Sequence, residues 1–291
     1  RPEYWMLDEI LADEMAQLML KMKVRKPYTP AEVARKLGWE VGRAEKLLEE
    51  LAQIGIVEYN WHNADRRKQY FIPVFVVGSS ENLVYNKELF KRVPEKVGEF
   101  SYQMSYLPME SISHMIPPGG GGLGFHVIPV EKAIPNESQS LDVEHLSYWL
   151  ERYREKDQFA IAPCQCRRAM VTRGEGCGEL EDNVCILVGD YAQYLWETGK
   201  DVKRASYEEV VALLERCEEN GYMHQITNGD GPDEIFGICN CTVGSCFGLR
   251  CSQLFNNPNC SASAYRARVT PENCVACGKC VEICPTGAAK L

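Results

Sequence analysis

The sequence predicts an α+β protein that is divided into several domains. Its 291 residues exceed the usual size of a single domain. The N-terminal part shows helical periodicity with capping signals, followed by short apolar strands. The C-terminal part carries closely spaced cysteines, which belong to a different kind of structure. The predicted segments are an N-terminal helix (1–27), a domain of helices and strands (28–80), a mixed central region (81–238) and a cysteine-rich domain (239–291).

The domain over residues 28–80 has the pattern of a winged helix. Thr29 and Glu32 form a capping-box sequence around Pro30, which is a favoured first residue of a helix. Two helices and a pair of strands then follow in order, as in winged-helix proteins. The predicted elements are a preceding helix over 7–24, a helix from Pro30 to Leu37, a helix over 41–54 and strands over 56–59 and 70–77.

The charge of the chain argues against nucleic acid as a partner. The predicted helix over 41–54 carries Arg43 and Lys46, but the glutamates in and next to this helix would repel a DNA duplex. The whole chain has 32 Lys and Arg against 41 Asp and Glu, a net charge of −9. We therefore expect this domain to dock or scaffold, and we expect partners of the acidic protein as a whole to present basic patches. A redox-sensing winged-helix regulator that binds DNA is the alternative.

The sequence predicts neither a membrane span nor a secretory signal. The longest apolar run, Phe71–Val77, is far shorter than the roughly 18 residues that a membrane span requires. No charged segment followed by an apolar one opens the chain. We therefore expect a cytoplasmic protein.

The C-terminal domain contains a motif that predicts an iron-sulfur cluster. The chain has 14 cysteines, and the last group follows the spacing C-x₂-C-x₂-C-x₃-C-P of bacterial ferredoxins. Zinc sites use two pairs of ligands and do not need a third cysteine at this spacing. The motif therefore predicts a 4Fe-4S cluster. Its residues are Cys274, Cys277, Cys280, Cys284 and Pro285.

A second cysteine group predicts a bacterial two-cluster ferredoxin-like domain. In two-cluster ferredoxins the last cysteine of the run binds the other cluster, so a second set of ligands is needed. An alternating strand over 264–269 would lie between the two sets. Zinc in the irregular second set is the alternative. The predicted ligands are Cys274, Cys277, Cys280 and Cys251 for cluster 1, and Cys239, Cys241, Cys246 and Cys284 for cluster 2.

A third cysteine group predicts a further 4Fe-4S cluster. Setting aside Cys217 and Cys260 leaves enough cysteines for three four-ligand clusters, and Cys217 falls on the apolar side of a predicted helix. Arg167 and Arg168 would offset cluster charge or dock a partner, unless they form surface ion pairs. Zinc or a redox-active thiol pair is the alternative. The group consists of Cys164, Cys166, Cys177 and Cys185.

The central region gives weaker signals outside its cysteines. Apolar periodicity and capping residues predict three helices and one strand there. These are helices over 87–97, 143–154 and 206–221, and a strand over 125–130.

From Ile161 to Leu291 the order of motifs resembles a family of iron-sulfur proteins of anaerobic bacteria. The motifs are Ala162-Pro163-Cys164-Gln165-Cys166-Arg167, then Ile238-Cys239-Asn240-Cys241, then the ferredoxin run. In that family the module is similar to an N-terminal region or companion of large flavin-dependent NAD(P)H oxidoreductases, which are like the small subunit of glutamate synthase. The chain departs from the family over 241–246, where the family has adjacent cysteines. The resemblance implies a flavoprotein partner that holds FAD and NAD(P)H.

These observations predict an electron-transfer protein. No flavin or nicotinamide fingerprint and no nucleophile with a base occur in the chain, so we expect substrate conversion on another protein. Two to three 4Fe-4S clusters would relay single electrons between a ferredoxin-like carrier and a flavin-dependent NAD(P)H oxidoreductase. A reductive activator of a metallocofactor protein is a further alternative.

Overall fold

A computed structural model describes most of the chain. The described part contains helices in its N-terminal half, a sheet with surrounding helices, and the C-terminal cysteine run. It is therefore a mixed structure of helices and strands, as predicted. The described residues are 2–113, 125–134, 142–176, 183–228, 234–254, 261–284 and 286–290.

The single helix expected over 7–24 is two shorter helices, α1 (Pro2–Ile10) and α2 (Asp13–Met19). Ala12 adopts an extended conformation between them. Asp13 and Glu14 then begin the second helix, where their negative charge favours the N-terminal turn. The expectation of one continuous helix was wrong because the chain restarts at this acidic pair.

The next two helices, α3 (Pro30–Leu37) and α4 (Val41–Ile54), lie where the sequence predicts them. The backbone N–H of Glu32 donates to Thr29 Oγ1 at 3.3 Å, and the backbone N–H of Thr29 donates to the Glu32 carboxylate at 2.8 Å. Gly38 ends α3 with a φ of 68°, a conformation that glycine adopts without strain. The capping box and this glycine therefore set both ends of α3.

Two short antiparallel strands follow, β1 (Glu58–Asn60) and β2 (Gln69–Phe71). The second strand ends well before Val77, where the sequence analysis placed its end. Pro73 has no backbone N–H to continue the ladder, which explains the early end. The order of helices and strands is that of the prediction, while the winged-helix assignment itself stays a prediction.

Three helices connect this region to the sheet. The helix expected over 87–97 is interrupted, because Val93 leaves the helical conformation immediately before Pro94. No helix in the described ranges combines the length and the apolar character that crossing a membrane requires. The three helices are α5 (Ser80–Val84), α6 (Lys87–Arg92) and α7 (Pro94–Ser113).

The centre of the described structure is a seven-stranded sheet. Its strands are β3 (Phe125–Ile128), β4 (Phe159–Pro163), β5 (Asn183–Val188), β6 (Lys203–Ala205), β7 (Met223–Asn228), β8 (Ile235–Cys241) and β9 (Ser261–Ala262). Their order is β6-β4-β5-β8-β7-β3-β9, with every pair antiparallel except β3 and β9. The accompanying helices are α8 (Leu146–Arg154), α9 (Gln165–Thr172), α10 (Gly189–Glu197), α11 (Tyr207–Glu219), α12 (Phe247–Leu254) and α13 (Lys279–Ile283).

Two features of the cysteine-rich segment differ from the prediction. Strand β8 runs across the boundary expected between 238 and 239, because it pairs with β5 on one side and with β7 on the other. Cys239 and Cys241 therefore belong to the central sheet. The strand expected over 264–269 is wrong, because these residues join no β-ladder in the described structure.

A chain of buried polar side chains joins the N-terminal part to the sheet. Asn82 donates from Nδ2 to Glu58 Oε1 at 2.9 Å, and the Tyr191 hydroxyl donates to Asn82 Oδ1 at 2.9 Å. Burial raises the pKa of Glu58 to about 7. These bonds satisfy polar groups that would be costly to bury unpaired.

The C-terminal end of α4 is held by two residues that follow the sheet strand β5. The Tyr194 hydroxyl contacts the carbonyl oxygens of Ala52 and Val57 at 2.9 and 3.1 Å. Lys200 Nζ donates to the carbonyl oxygens of Ala52, at 3.1 Å, and of Gln53. A lysine at this position satisfies helix carbonyls that have no partner within the helix. Burial lowers the pKa of Lys200 to about 7.

We expect Lys200→Met to remove part of the pH dependence of stability. The pKa of Lys200 is lowered from its ordinary value of 10.5 to about 7 in the folded protein. Because the folded pKa lies below the unfolded one, this lysine adds stability as the pH rises. Between about pH 7.5 and about pH 9 the gain is about 2 kcal/mol. Guanidinium unfolding followed by tryptophan fluorescence should show that the variant loses this gain, whereas Lys46→Met, at an exposed site, retains it. Equal pH dependence in wild type and Lys200→Met would contradict the account.

Candidate metal centre

Neighbouring strands and the helices after them bring two of the cysteine groups to one place. Cys164 follows β4 and caps the N-terminus of α9, and Cys185 lies in β5 opposite Ala162. Ile186 of β5 pairs with Ile238 of β8. Extending this antiparallel register by one residue sets Cys185 opposite the first cysteine of β8. The two groups therefore meet at one end of these strands.

Six thiols from these elements form a closed ring of side-chain contacts, which we call the thiol ring. Each thiol interacts with two neighbouring thiols, one on either side. The ring joins cysteines of the third group to cysteines that we expected in cluster 2. Its order is Cys164, Cys166, Cys246, Cys241, Cys239, Cys185 and back to Cys164.

The thiol ring surrounds a buried cavity. All six cysteines line this cavity, whose volume is about 40 Å³. One water molecule needs roughly 10–15 Å³. The cavity is larger than this, so the six side chains are not close-packed against one another. The most buried members are at most 6% exposed; they are Cys164, Cys185, Cys241 and Cys246.

Hydrogen bonds within the ring favour the thiolate form of two members. Bonds from Cys166 and then from Cys185 lower the pKa of Cys164 well below its ordinary value. Bonds from Cys166 and then from Cys241 lower the pKa of Cys246 in the same way. The pKa values of the other four are raised, chiefly by hydrogen bonding to a neighbouring thiol. The thiolate is the form that binds metals.

A buried arginine supplies positive charge beside the ring. Arg167 is 1% exposed, and its guanidinium lies 4.4 Å from the centre of the Tyr222 ring. Its backbone N–H and its charge both help to lower the pKa of Cys164. Arg168 instead forms an ion pair with Asp201 at 2.7 Å. The two arginines thus have different roles: Arg167 interacts electrostatically with Cys164, and Arg168 is a partly buried ion-pair residue.

Buried polar side chains fix the strands that carry the ring. Gln225 on β7 donates from Nε2 to Cys246 Sγ at 3.6 Å. Asn240 donates from Nδ2 to the Val184 carbonyl at 2.6 Å, and its Oδ1 lies 2.6 Å from His224 Nδ1. These bonds tie β8 to both neighbouring strands, so the thiols are held on a rigid support.

The thiol ring is not arranged around a single ion. Within the described ranges, no three His, Cys, Asp or Glu side chains converge as one metal ion requires. This agrees with the ring geometry, because each thiol meets two neighbours and not a common centre. A mononuclear zinc site needs four ligands at about 2.0–2.3 Å from one ion.

The C-terminal cysteine run, residues 274–284, lies at the surface and not in the sheet. We call it the run. Its first three thiols, Cys274, Cys277 and Cys280, are exposed. Gly278 begins α13 with a φ of 77°. Hydrogen bonds from the Thr286 side chain and then from the backbone of Ala289 lower the pKa of Cys284 to about 7. Donors of this kind stabilise negative sulfur, so the run fits a 4Fe-4S cluster.

The remaining cysteines are distributed as follows. Cys251 is fully buried against Ala169, Met170 and Phe247, whereas the three thiols that it was expected to join are exposed. Cys177 and Cys260 lie outside the described residues. Cys217 is buried on α11, in agreement with its predicted place in the core. The assignment of Cys251 to cluster 1 and of Cys284 to cluster 2 stays a prediction.

The last cysteine of the run lines one groove together with the turn between two ring cysteines. Residues 282–284, the turn 242–244 and residues 218–222 line this groove. That turn connects Cys241 to Cys246 of the ring. The last cysteine of the run therefore lies close to the segment that carries two ring thiols.

Comparison with known families identifies the C-terminal segment. Residues 267–290 match the 4Fe-4S binding domain family. The segment therefore indicates binding of a 4Fe-4S cluster by a ferredoxin-type domain, and it suggests iron-sulfur electron transfer. No curated protein and no solved structure shows a significant match to the chain.

The sequence analysis did not predict that cysteines of two groups meet in one thiol ring. The signal was present, because Cys239 and Cys241 are two residues apart and share one face of a strand. Cys185 lies in an apolar strand of its own. Only the pairing of these strands shows that the faces coincide.

We expect Gly278→Ala to weaken retention of the cluster of the run. A left-handed conformation costs a residue other than glycine about 1–2 kcal/mol, which corresponds to about 5–30-fold in an equilibrium. Iron release to a chelator should accelerate by this factor. Gly42→Ala, at a helical position where an added Cβ meets nothing within 4 Å, is the control and should leave release unchanged. Equal release from Gly278→Ala and wild type would contradict the role of this turn.

Proposed function

We propose that this protein relays single electrons between a ferredoxin-like carrier and a flavin-dependent NAD(P)H oxidoreductase, in the cytoplasm of an anaerobe. Two or three 4Fe-4S clusters would form the path. The observation that carries the proposal is the 4Fe-4S domain at 267–290, whose first three thiols are exposed. A cluster at the surface is placed to exchange electrons with a docked protein. The flavoprotein partner, with its FAD and NAD(P)H, rests on the resemblance over residues 161–291.

The groove beside Cys284 supports a path that continues into the protein. The turn 242–244, which also lines this groove, belongs to the segment that carries two ring thiols. When loaded, the clusters supply reversible one-electron chemistry. This chain contributes the thiolates, the N–H donors near Cys284 and the buried charge of Arg167.

The local charge around the run supports docking of an acidic electron carrier there. The chain as a whole is acidic, but the segment 261–290 is locally basic. Opposite charge steers association and raises its rate, an effect that salt screens. The segment has four basic residues, Arg266, Arg268, Lys279 and Lys290, against two acidic ones, Glu272 and Glu282.

We expect reversal of this charge to slow electron transfer from an acidic carrier. The double variant Arg266→Glu with Arg268→Glu should lower the second-order rate about tenfold at low salt and flatten its salt dependence. Stopped-flow measurement with a reduced acidic ferredoxin checks this. A variant with the same change in net charge, Lys21→Glu with Lys46→Glu on the N-terminal helices and their connections, should change the rate little. Equal slowing by both variants would show that the run is not the docking site.

We expect Cys277→Ser to abolish the cluster of the run, because serine replaces a thiolate ligand. Iron should fall by about four per chain, and one signal should leave the EPR spectrum of the reduced protein. Transfer from the carrier to the flavoprotein should fall at least about tenfold. Cys217→Ser, a buried position on α11, controls for the substitution itself. An unchanged spectrum would contradict the cluster assignment, and a lost signal with unchanged transfer would contradict the relay.

A further inference from the structure

We infer that the thiol ring is one binding site, which holds a single 4Fe-4S cluster between the segments 164–185 and 239–246. This deepens the proposed function, on which it rests, because the ring becomes the second cluster of the path. It also replaces two predicted clusters by one. The chain would then carry two clusters: one in the run at the surface and one in the sheet.

Strand pairing is the first argument for a shared site. Cys185 lies on β5 and Cys239 lies on β8, and the two strands are hydrogen-bonded neighbours. Their thiols are in contact. Two cubanes, each held by one of these strands, would need their ligands to face apart. The observed register turns them toward each other.

The cavity is the second argument. All six ring cysteines line the same enclosed space, and members from both segments are almost completely buried. Six soft sulfur donors around one space exceed the four that a cubane binds, so one cluster can be fully ligated there.

Charge and hydrogen bonding form the third argument. A cluster with thiolate ligands is negative, and burial of negative charge requires compensation. The buried Arg167 guanidinium supplies positive charge beside Cys164. Gln225, on the neighbouring strand β7, donates to Sγ of Cys246, which belongs to the other segment. Donors thus reach sulfur atoms of both segments.

The binding step involves no change in oxidation state. A preassembled cluster would be transferred from a carrier protein with thiolate ligands, so that each of its four iron atoms exchanges a bond to a carrier thiolate for a bond to a ring sulfur, and the carrier thiolates leave. Each ligating thiol loses its proton to solvent. The two sulfurs that do not ligate stay thiols beside the cluster.

The test uses Cys277→Ser protein purified without oxygen, in which the cluster of the run is removed. We expect about four iron and about four acid-labile sulfide per chain to remain, with one EPR signal. About eight iron would mean separate sites on the two segments and would overturn the inference. Little iron, or zinc in its place, would overturn it as well. None of these results bears on whether the run itself transfers electrons, so the failure of the inference is distinct from failure of the relay.

A second pair of variants tests whether both segments share the cluster. Cys185→Ser and Cys239→Ser, each added to Cys277→Ser, should abolish or shift the same remaining EPR signal. Cys217→Ser in that background should leave the signal in place. A signal that responds to no serine variant of one segment, whether Cys164, Cys166 and Cys185 or Cys239, Cys241 and Cys246, would show that the other segment holds the cluster alone. Far-UV circular dichroism confirms that each variant is folded.

Discussion

The pairing of β5 with β4 on one side and with β8 on the other is the constraint on which the site depends. Residues opposite each other in an antiparallel sheet share a face. This places Cys185 against Cys239 and brings Cys164, at the end of β4, to the same face. A shift of one residue would turn the strand cysteines to the other face of the sheet. The ring, its cavity and the place of Arg167 all follow from this register.

Residues of the N-terminal part form hydrogen bonds with residues next to the thiol ring. Gln165, between the first two ring cysteines, donates from Nε2 to Ser80 Oγ at 2.7 Å, and both residues are buried. The bonds of Asn82 to Glu58 and Tyr191 join the same region to the sheet. Such fully buried polar contacts fix one arrangement of the elements that meet there. A scaffolding role for the domain over 28–80 agrees with these contacts. The acidic surplus of α4, with Glu45, Glu49 and Glu50 against Arg43 and Lys46, agrees with the absence of DNA from the proposed partners.

Local signals could be predicted from the sequence, and long-range ones could not. The capping box of Thr29 and Glu32 predicted α3 because all its atoms lie within four residues. The spacing of the run predicted the 4Fe-4S domain for the same reason. The strand over 264–269 was predicted from alternation alone, and it failed because a strand also needs a partner. The union of Cys164 with Cys246 depends on strand order and register across more than eighty residues, which no local pattern encodes.

The most direct test of the two-cluster account is the metal content of the wild-type protein. Iron, acid-labile sulfide and zinc should be determined per chain after purification without oxygen. The account predicts about eight iron and about eight sulfide, four of each for the run and four of each for the ring, with no zinc. About twelve iron would contradict the shared ring, and about four iron, or zinc beside it, would contradict a second cluster in the sheet.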